Sequence, residues 1–302
     1  MTTPTDFAVP SPGRAARPAP RRAARPFRPA GRRPAAGRAL RLLAASALAA
    51  VQLFPLLWML SGALKSSEDT GGTSLLPSDP TLSNLTEVFD AIPYGRYLWN
   101  SLLTSVAVTV LLVFFGSMAA YALARLRFRG REALFAVIFS TLMVAMPVIL
   151  VPLFMVAART NLVNSYAGLI LPVAFTAFPI FLMRQFYLQF PRELEEAADL
   201  DGCGYLRRFL VVVLPLSKPM LAALAVTTFL STWNSFLWPL TVAKDSDLWV
   251  VQVGMSQFQN QYGGDWSLIM AASLVAAVPT LLLFLILQRH IITSVKASGL
   301  KG

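Results

Sequence analysis

Six long apolar stretches constrain this chain more than any other feature. They fall roughly at 40–64, 98–124, 134–157, 166–187, 219–242 and 268–287. Each meets the need for about 20 apolar residues to cross a hydrocarbon core about 30 Å thick as a helix. No water is available inside a bilayer, so every backbone N–H and C=O must be paired within the segment, and a helix does this. An all-α membrane protein with six transmembrane helices is expected. Composition agrees: 56% of residues are hydrophobic and only 14% are charged, against about 25% charged in soluble domains.

Orientation follows from lysine and arginine. If both termini lie on one side, 22 of the 26 basic residues share that side, within 1–41, 125–131, 184–218 and 289–301. Lys65, Arg96, Arg159 and Lys244 are left on the other. The positive-inside rule makes the crowded side cytoplasmic, with both termini there. The net charge of +11 is thereby accounted for by topology, without nucleic acid.

Residues 1–38 carry nine arginines against one acid, Asp6, and almost no bulky apolar side chain. Such a segment is expected to be disordered. It reads as a basic cytoplasmic tail held at the anionic leaflet, where each basic residue near the surface contributes about 1 kcal/mol. Two other readings are a nucleic-acid arm and a targeting peptide. The second would use Arg21-Arg22 or Arg32-Arg33 and the small-x-small run Ala47-Leu48-Ala49, but the apolar stretch continues past that run to Leu64. The membrane domain is then 39–290, followed by a cytoplasmic tail over 291–302. Cys203 is the sole cysteine, so no intrachain disulfide can form, and His290 is the sole histidine. A metal centre or histidine-based triad lacks material.

The loop between spans four and five, about 188–218, is polar but patterned. Pro191 suits a helix start. Glu193, Glu195 and Glu196 follow at the positive end of the helix dipole. Leu194, Ala197 and Ala198 form a narrow apolar stripe, and Gly202 can take the positive φ that stops a helix. A second short helix is expected over 205–210, with Tyr205, Leu206, Phe209 and Leu210 on one face and Arg207 and Arg208 pointing away. Asp199 and Asp201 sit at the unfavourable end of the first helix, which predicts cationic partners in Arg207 and Arg208 or in another subunit. Ser217-Lys218-Pro219 reads as cap and start of the next span. Helix physics alone leaves two readings of this loop open, a docking device and a tie between spans.

Within the spans, Gly116, Ser117, Ala119 and Ala120 have close-packing spacing ahead of Tyr121 and Arg125. Pro147, Pro152, Pro172 and Pro179 predict kinks, as ordinary bundle curvature or as the wall of a water-lined path. Asn234, between Trp233 and Phe236, lies deep enough to need a protein partner or a cavity, and Trp238 is expected in an aromatic belt. The loop after span one is acidic, with Glu68, Asp69, Asp79, Glu87 and Asp90; it is either solvated or a contact surface. The chain contains no G-x-x-x-x-G-K-[ST] phosphate loop. Paired intramembrane carboxylates of the kind ion-driven carriers use are absent from the six stretches.

The run Glu196-Ala197-Ala198, three residues, Gly202, nine residues, Val212, then Leu214-Pro215 resembles the cytoplasmic loop of binding-protein-dependent ABC importer permeases. That family usually has isoleucine at the position of Val212 and often alanine at that of Cys203. The Trp-Asn-x-Phe-x-x-Pro run over 233–239 resembles the fifth span of sugar-importer permeases. The segment from Val253 to Phe258, then Trp266, Pro279, Gln288-Arg289 and the closing Lys-Gly, resembles the carbohydrate (maltose-type, second permease) branch. The resemblance covers about 40–302.

It implies the ABC importer permease fold and a loop that docks in a groove of a separate ATPase. The coupling residues would be Glu196, Ala197, Ala198, Asp201, Gly202, Arg207 and Arg208. Glu196 would be the polar anchor, Ala197 and Ala198 would permit close approach, and Gly202 would make the turn. Trp233, Asn234, Phe236, Pro147 and Pro179 would border the translocation path. Implied partners are a second homologous permease, two ABC ATPase subunits and an extracytoplasmic sugar-binding protein, in a bacterial cytoplasmic membrane. The chain would be a transport subunit and not an enzyme, binding no cofactor, with ATP used by the partner. The implied cargo is a sugar, a di- or oligosaccharide. A polyol or glycerol-phosphate importer is the alternative, and a secondary carrier or channel is less favoured.

Overall fold

The computed structural model describes the backbone of residues 35–66, 69, 74, 76–262 and 265–299, and side chains from residue 40 on except those of 287 and 289–299. The tail expected over 1–38 lies outside the described residues apart from 35–38, which open the first helix. Glu68, the side chain of His290 and the closing residues 300–302 lie outside them too.

The chain divides into two units, 1–52 and 53–302. The described part of the first is the opening of α1 (Ala35–Ala63), with Leu40, Leu43 and Leu48 exposed. The second holds the end of α1 and then α2 (Ser83–Ala91), α3 (Tyr94–Arg125), α4 (Arg131–Ser140), α5 (Met146–Arg159), α6 (Tyr166–Ile170) and α7 (Ala177–Leu188). After these come α8 (Arg192–Leu200), α9 (Tyr205–Arg208), a π-helical turn Phe209–Val213, and α10 (Leu214–Leu216). The bundle closes with α11 (Lys218–Trp233), α12 (Leu237–Val242), α13 (Val251–Tyr262) and α14 (Trp266–Gly299).

The axis of the second unit is α3, 32 residues long and so about 48 Å at 1.5 Å per residue. Its buried face steps through Ser101, Thr104, Val108, Leu112, Gly116 and Ala120 at helical spacing. These small and medium side chains let α7 and α11 lie directly against it. In turn α14 packs on α11 and α2.

Three helical stretches among the described residues are continuous and apolar enough to cross a membrane: Leu40–Ala63, Tyr94–Arg125 and Trp266–Ile286. Two further candidates are bent, Arg131–Met143 with Met146–Arg159 by 108° and Tyr205–Leu216 with Lys218–Trp233 by 80°. The stretch expected over 166–187 is two helices, α6 and α7, separated by turns around Pro172. That expected over 219–242 breaks between α11 and α12. The expected proline kinks are met in part. The 108° bend falls at 144–145, beside Pro147, which opens α5, and Pro172 sits in the break between α6 and α7. Pro179 stands in the first turn of α7, where a missing N–H breaks no bond, and Pro152 is inside α5.

Buried polar bonds tie the end of the bundle near the start of α3. Asn100, fully buried, donates to the carbonyls of Asp247 (2.8 Å) and Trp249 (2.9 Å) and accepts from the Tyr166 hydroxyl at 2.7 Å. The Ser101 hydroxyl accepts from the N–H of Val251 at 2.7 Å. The expected belt position of Trp238 is overturned: it is 2% exposed, and its indole N–H donates to the Gly168 carbonyl at 3.0 Å. The short α12 folds back onto α6 and buries it. Gly168 has no room for a side chain, since a Cβ there would lie 1.9 Å from the Leu162 carbonyl oxygen.

Gly254 is equally confined, because a Cβ would sit 2.2 Å from the Tyr97 ring. Gly254→Ala is expected to cost about 1–3 kcal/mol through overpacking, read as a lower melting temperature of the detergent-purified protein. Gly116→Ala, whose Cβ would meet Pro179 at an ordinary 3.6 Å, should shift it far less. Equal shifts would refute this account of α13 packing.

Candidate functional site

The expected loop motif forms a hard elbow at the far end of α3. Its first arm, α8, begins after Pro191 with Glu193 and Glu195 in its first turn. It ends on Gly202 at φ +74°. Cys203 N–H donates to the Ala198 carbonyl (3.0 Å), and Gly202 N–H donates to that of Asp199 (3.0 Å). This is the pattern in which a left-handed residue closes a helix and satisfies its last carbonyls. A Cβ on Gly202 would meet nothing within 4 Å, so the conformation, and not crowding, favours glycine.

The faces differ from those expected. On α8 the buried side chains are Glu195 and Ala198, while Leu194, Glu196, Ala197 and Leu200 are exposed. On the second arm, Arg207 points outward as expected, but Arg208 is buried beside Phe209, and Tyr205 and Leu206 stand 66% and 60% exposed. The cause is tertiary: Arg208 finds partners that offset the cost of burying its charge.

Those partners form one chain of polar contacts. Arg208 pairs with Asp199, meeting the cationic partner expected for that carboxylate. Its Nε donates to the Tyr121 hydroxyl at 2.9 Å. The same hydroxyl donates to Glu195 Oε2 at 3.3 Å. Glu195 Oε1 lies 3.0 Å from Arg125 Nε, and Arg125 donates to the Phe190 carbonyl. Both arms of the elbow are thus fixed to the last turns of α3. Phe209 and Tyr187 pack on the Tyr121 ring at centroid distances of 5.4 and 5.8 Å. Beside this, Arg184 pairs with Glu132 at 2.9 Å and covers the Phe135 ring at 3.9 Å.

Tyr121, Arg125 and Glu195 were not among the expected coupling residues. Arg125 counted only toward orientation and Glu195 only as a first-turn acid. The available signal was the i, i+4 spacing of Tyr121 and Arg125 at the polar end of an apolar helix. Asp201 is exposed, as is Glu196. Ser217 precedes α11 as expected but caps nothing; its hydroxyl donates back to the Val213 carbonyl at 2.7 Å.

The expected path residues do not share one cavity. Trp233 is 2% exposed and stacks on Phe229 at 5.7 Å. Asn234 closes α11, donating to the Leu230 carbonyl at 2.8 Å and accepting from Gln252 at 3.2 Å. Phe236 borders a small pocket of about 310 Å³ with Gln252 and Gln259. Pro147 is exposed and Pro179 buried; the latter borders a different cavity, between α3, α7 and α11.

Residues 112–296 match the family described as binding-protein-dependent transport system inner membrane component. The arabinooligosaccharides transport system permease protein AraQ of Halalkalibacterium halodurans is 35% identical over 260 residues, 84% of this chain and 93% of that protein. The sulfoquinovosyl glycerol transport system permease protein SmoH of Agrobacterium fabrum is 33% identical, over 88% of this chain and 95% of its own. The sn-glycerol-3-phosphate transport system permease protein UgpE of Pectobacterium atrosepticum is 38% identical over 72% of this chain and 80% of its own. Among solved structures, a bacterial ABC transporter involved in import of the acidic polysaccharide alginate has a chain of the same fold, with a TM-score of 0.73 at 22% identity over 84% of this chain. The chain belongs to the family of binding-protein-dependent transport system inner membrane components, and is a multi-pass membrane permease component of an ABC transport system.

The Tyr121 bridge generates a prediction. Tyr121→Phe leaves Arg208 and Glu195 each one partner short and is expected to cost about 1–3 kcal/mol. Glu195→Ala leaves Arg125 buried without its carboxylate and is expected to cost about 3 kcal/mol. Limited proteolysis between 200 and 206 and the melting temperature of the purified protein measure both. Wild-type resistance in both variants would show that the elbow is held by something else.

Proposed function

We propose that this chain is the permease subunit of an ATP-driven ABC importer for sugars, of di- or oligosaccharide size. It forms the translocation path with a second, homologous permease. It takes its energy from two separate ATPase subunits through the loop from Glu196 to Gly202, and receives cargo from an extracytoplasmic binding protein. In this reading the chain spans a bacterial cytoplasmic membrane six times with both termini in the cytoplasm. It binds no cofactor itself, and ATP is consumed by the partner.

One observation carries the coupling role. The elbow is rigidly fixed to α3 on its inner side, while its outer side presents Leu194, Ala197, Leu200, Tyr205 and Leu206 to solvent. Exposed apolar side chains on a braced polar loop suit a partner's groove. Glu196, Asp201 and Arg207, exposed around them, supply charges for partner choice. Closure of the ATPase pair would carry the elbow, and α3 with it. Reversing a population from 1:99 to 99:1 takes about 5.5 kcal/mol of differential binding, and a braced helix pair can deliver that where a slack loop cannot.

The sugar assignment draws on relatives named for arabinooligosaccharides and sulfoquinovosyl glycerol. The relatives named for sn-glycerol-3-phosphate favour a second reading, import of a glycerol-phosphate-type solute.

Gly202→Asp is the test. A carboxylate side chain has open space there, so the protein should reach the membrane in normal amount. The positive φ and the added charge should displace the second arm, lowering ATP-dependent uptake at least about tenfold, a loss of roughly 1.4 kcal/mol in coupling, and releasing the ATPase on purification. Uptake at the wild-type rate with the ATPase retained would refute the coupling role.

A further inference from the structure

At the end of α11 and in the break after it, three hydroxyls stand without a partner. Thr228 and Ser231 are three residues apart in the last turns of α11, and Ser235 follows in the break between α11 and α12. Serine and threonine in apolar helices ordinarily return their hydroxyl to a carbonyl one turn back. Their neighbours do so: Thr227 donates to Ala223 (3.1 Å) and Leu224 (3.0 Å), and Thr232 to Thr228 (3.0 Å). The hydroxyls of Thr228, Ser231 and Ser235 make no hydrogen bond among the described residues. They face a cavity of about 410 Å³ between α3, α7 and α11, within the range of about 300–1,000 Å³ typical of small-molecule sites. Across it stand Thr176, whose hydroxyl makes no cap bond, and the ring of Phe178, 49% exposed.

Hydroxyls facing lipid with no partner are costly, so this face needs water or a polar ligand. We infer that the Thr228–Ser231–Ser235 face, with Thr176 and Phe178 opposite, is a solute subsite on the translocation route for a neutral polyhydroxylated solute. This rests on the importer reading above. Each hydroxyl can donate and accept, which suits the mixed donors and acceptors of a sugar edge. The Phe178 ring suits the apolar C–H face of a sugar. No Lys, Arg, Asp or Glu is among the cavity's lining residues, so a phosphate monoester would find no countercharge. The spaced hydroxyls offer exchangeable bonds, enough to admit a sugar and weak enough to release it.

The test uses the full transporter purified with its own partners. With Cys203→Ser, the chain has no other cysteine, so Ser231→Cys and Ser235→Cys can each be probed with a membrane-impermeant methanethiosulfonate, which needs water to react. Both thiols should be modified, and more slowly in the presence of whichever probe sugar, arabinotriose or maltotriose, is transported. Thiols that stay unreactive in every nucleotide state would mean that a helix of the second permease covers this face, and would overturn the subsite. In uptake assays, Ser231→Ala and Ser235→Ala should each raise KM for that sugar by a factor of about three to ten, the worth of one hydrogen bond. Thr241→Val, whose hydroxyl already bonds to the Leu237 carbonyl at 2.7 Å, should leave KM unchanged. An unchanged KM in both serine variants, with ATP-dependent uptake and the ATPase retained, refutes the subsite alone. Preference for glycerol 3-phosphate over both sugars overturns the neutral-solute assignment. Uptake that persists without any ATPase would instead sink the importer reading itself.

Discussion

One phenolic oxygen bridges both arms of the elbow to α3. Tyr121 accepts from Arg208 on one arm of the elbow and donates to Glu195 on the other. The outer members, Asp199 and Arg125, complete an alternating run of charges. In a poorly hydrated setting such a run is strong when complete and costly when broken. Without it, α8 and α9 would be two short helices, each too brief to persist in water alone. With it they become an extension of α3, the helix against which α7 and α11 pack. Whatever moves the elbow therefore moves the bundle's axis.

The rest of the bundle is a set of interrupted helices around that axis. Breaks at 144–145, at 171–176 and at 234–236 free backbone groups that an unbroken helix would pair. Side chains take up some of them: Asn234 returns its amide to the Leu230 carbonyl. The breaks also permit the cavity beside Pro179, since α7 begins in mid-bundle and its opening turn borders that space. Interrupted helices lining internal space are what an apolar solvent tolerates only inside protein.

Long apolar runs made the helical class legible, and the spacing of proline, acids and glycine made the elbow legible down to the left-handed Gly202. These signals are local, set by a residue and its neighbours within two turns. The misread features were long-range. By its place in the run Trp238 reads as a belt residue, but the Gly168 carbonyl of α6 holds it inside. Arg208 looked solvent-facing because its partners, Tyr121 and Asp199, come from another helix and from across a turn. Glu195 looked like a dipole acid because Arg125 lies 70 positions away in the sequence. Periodicity assigns a charged side chain to water by default, and only tertiary contact reverses that. The prolines were legible in part: breaks fall beside Pro147 and at Pro172, while the place of Pro179 at a helix start depends on a boundary that periodicity blurs.

Gly168 bears on how such chains can be recombined. The space a methyl group would need there is filled by the main chain at Leu162, and the carbonyl of Gly168 is itself claimed by Trp238. The backbone at Leu162 and Gly168 thereby meets directly, and the buried Trp238 side chain ties α12 to both. A hybrid assembled from two relatives would have to take 160–170 and 237–245 from the same parent. A crossover placed between them would join surfaces shaped for different neighbours.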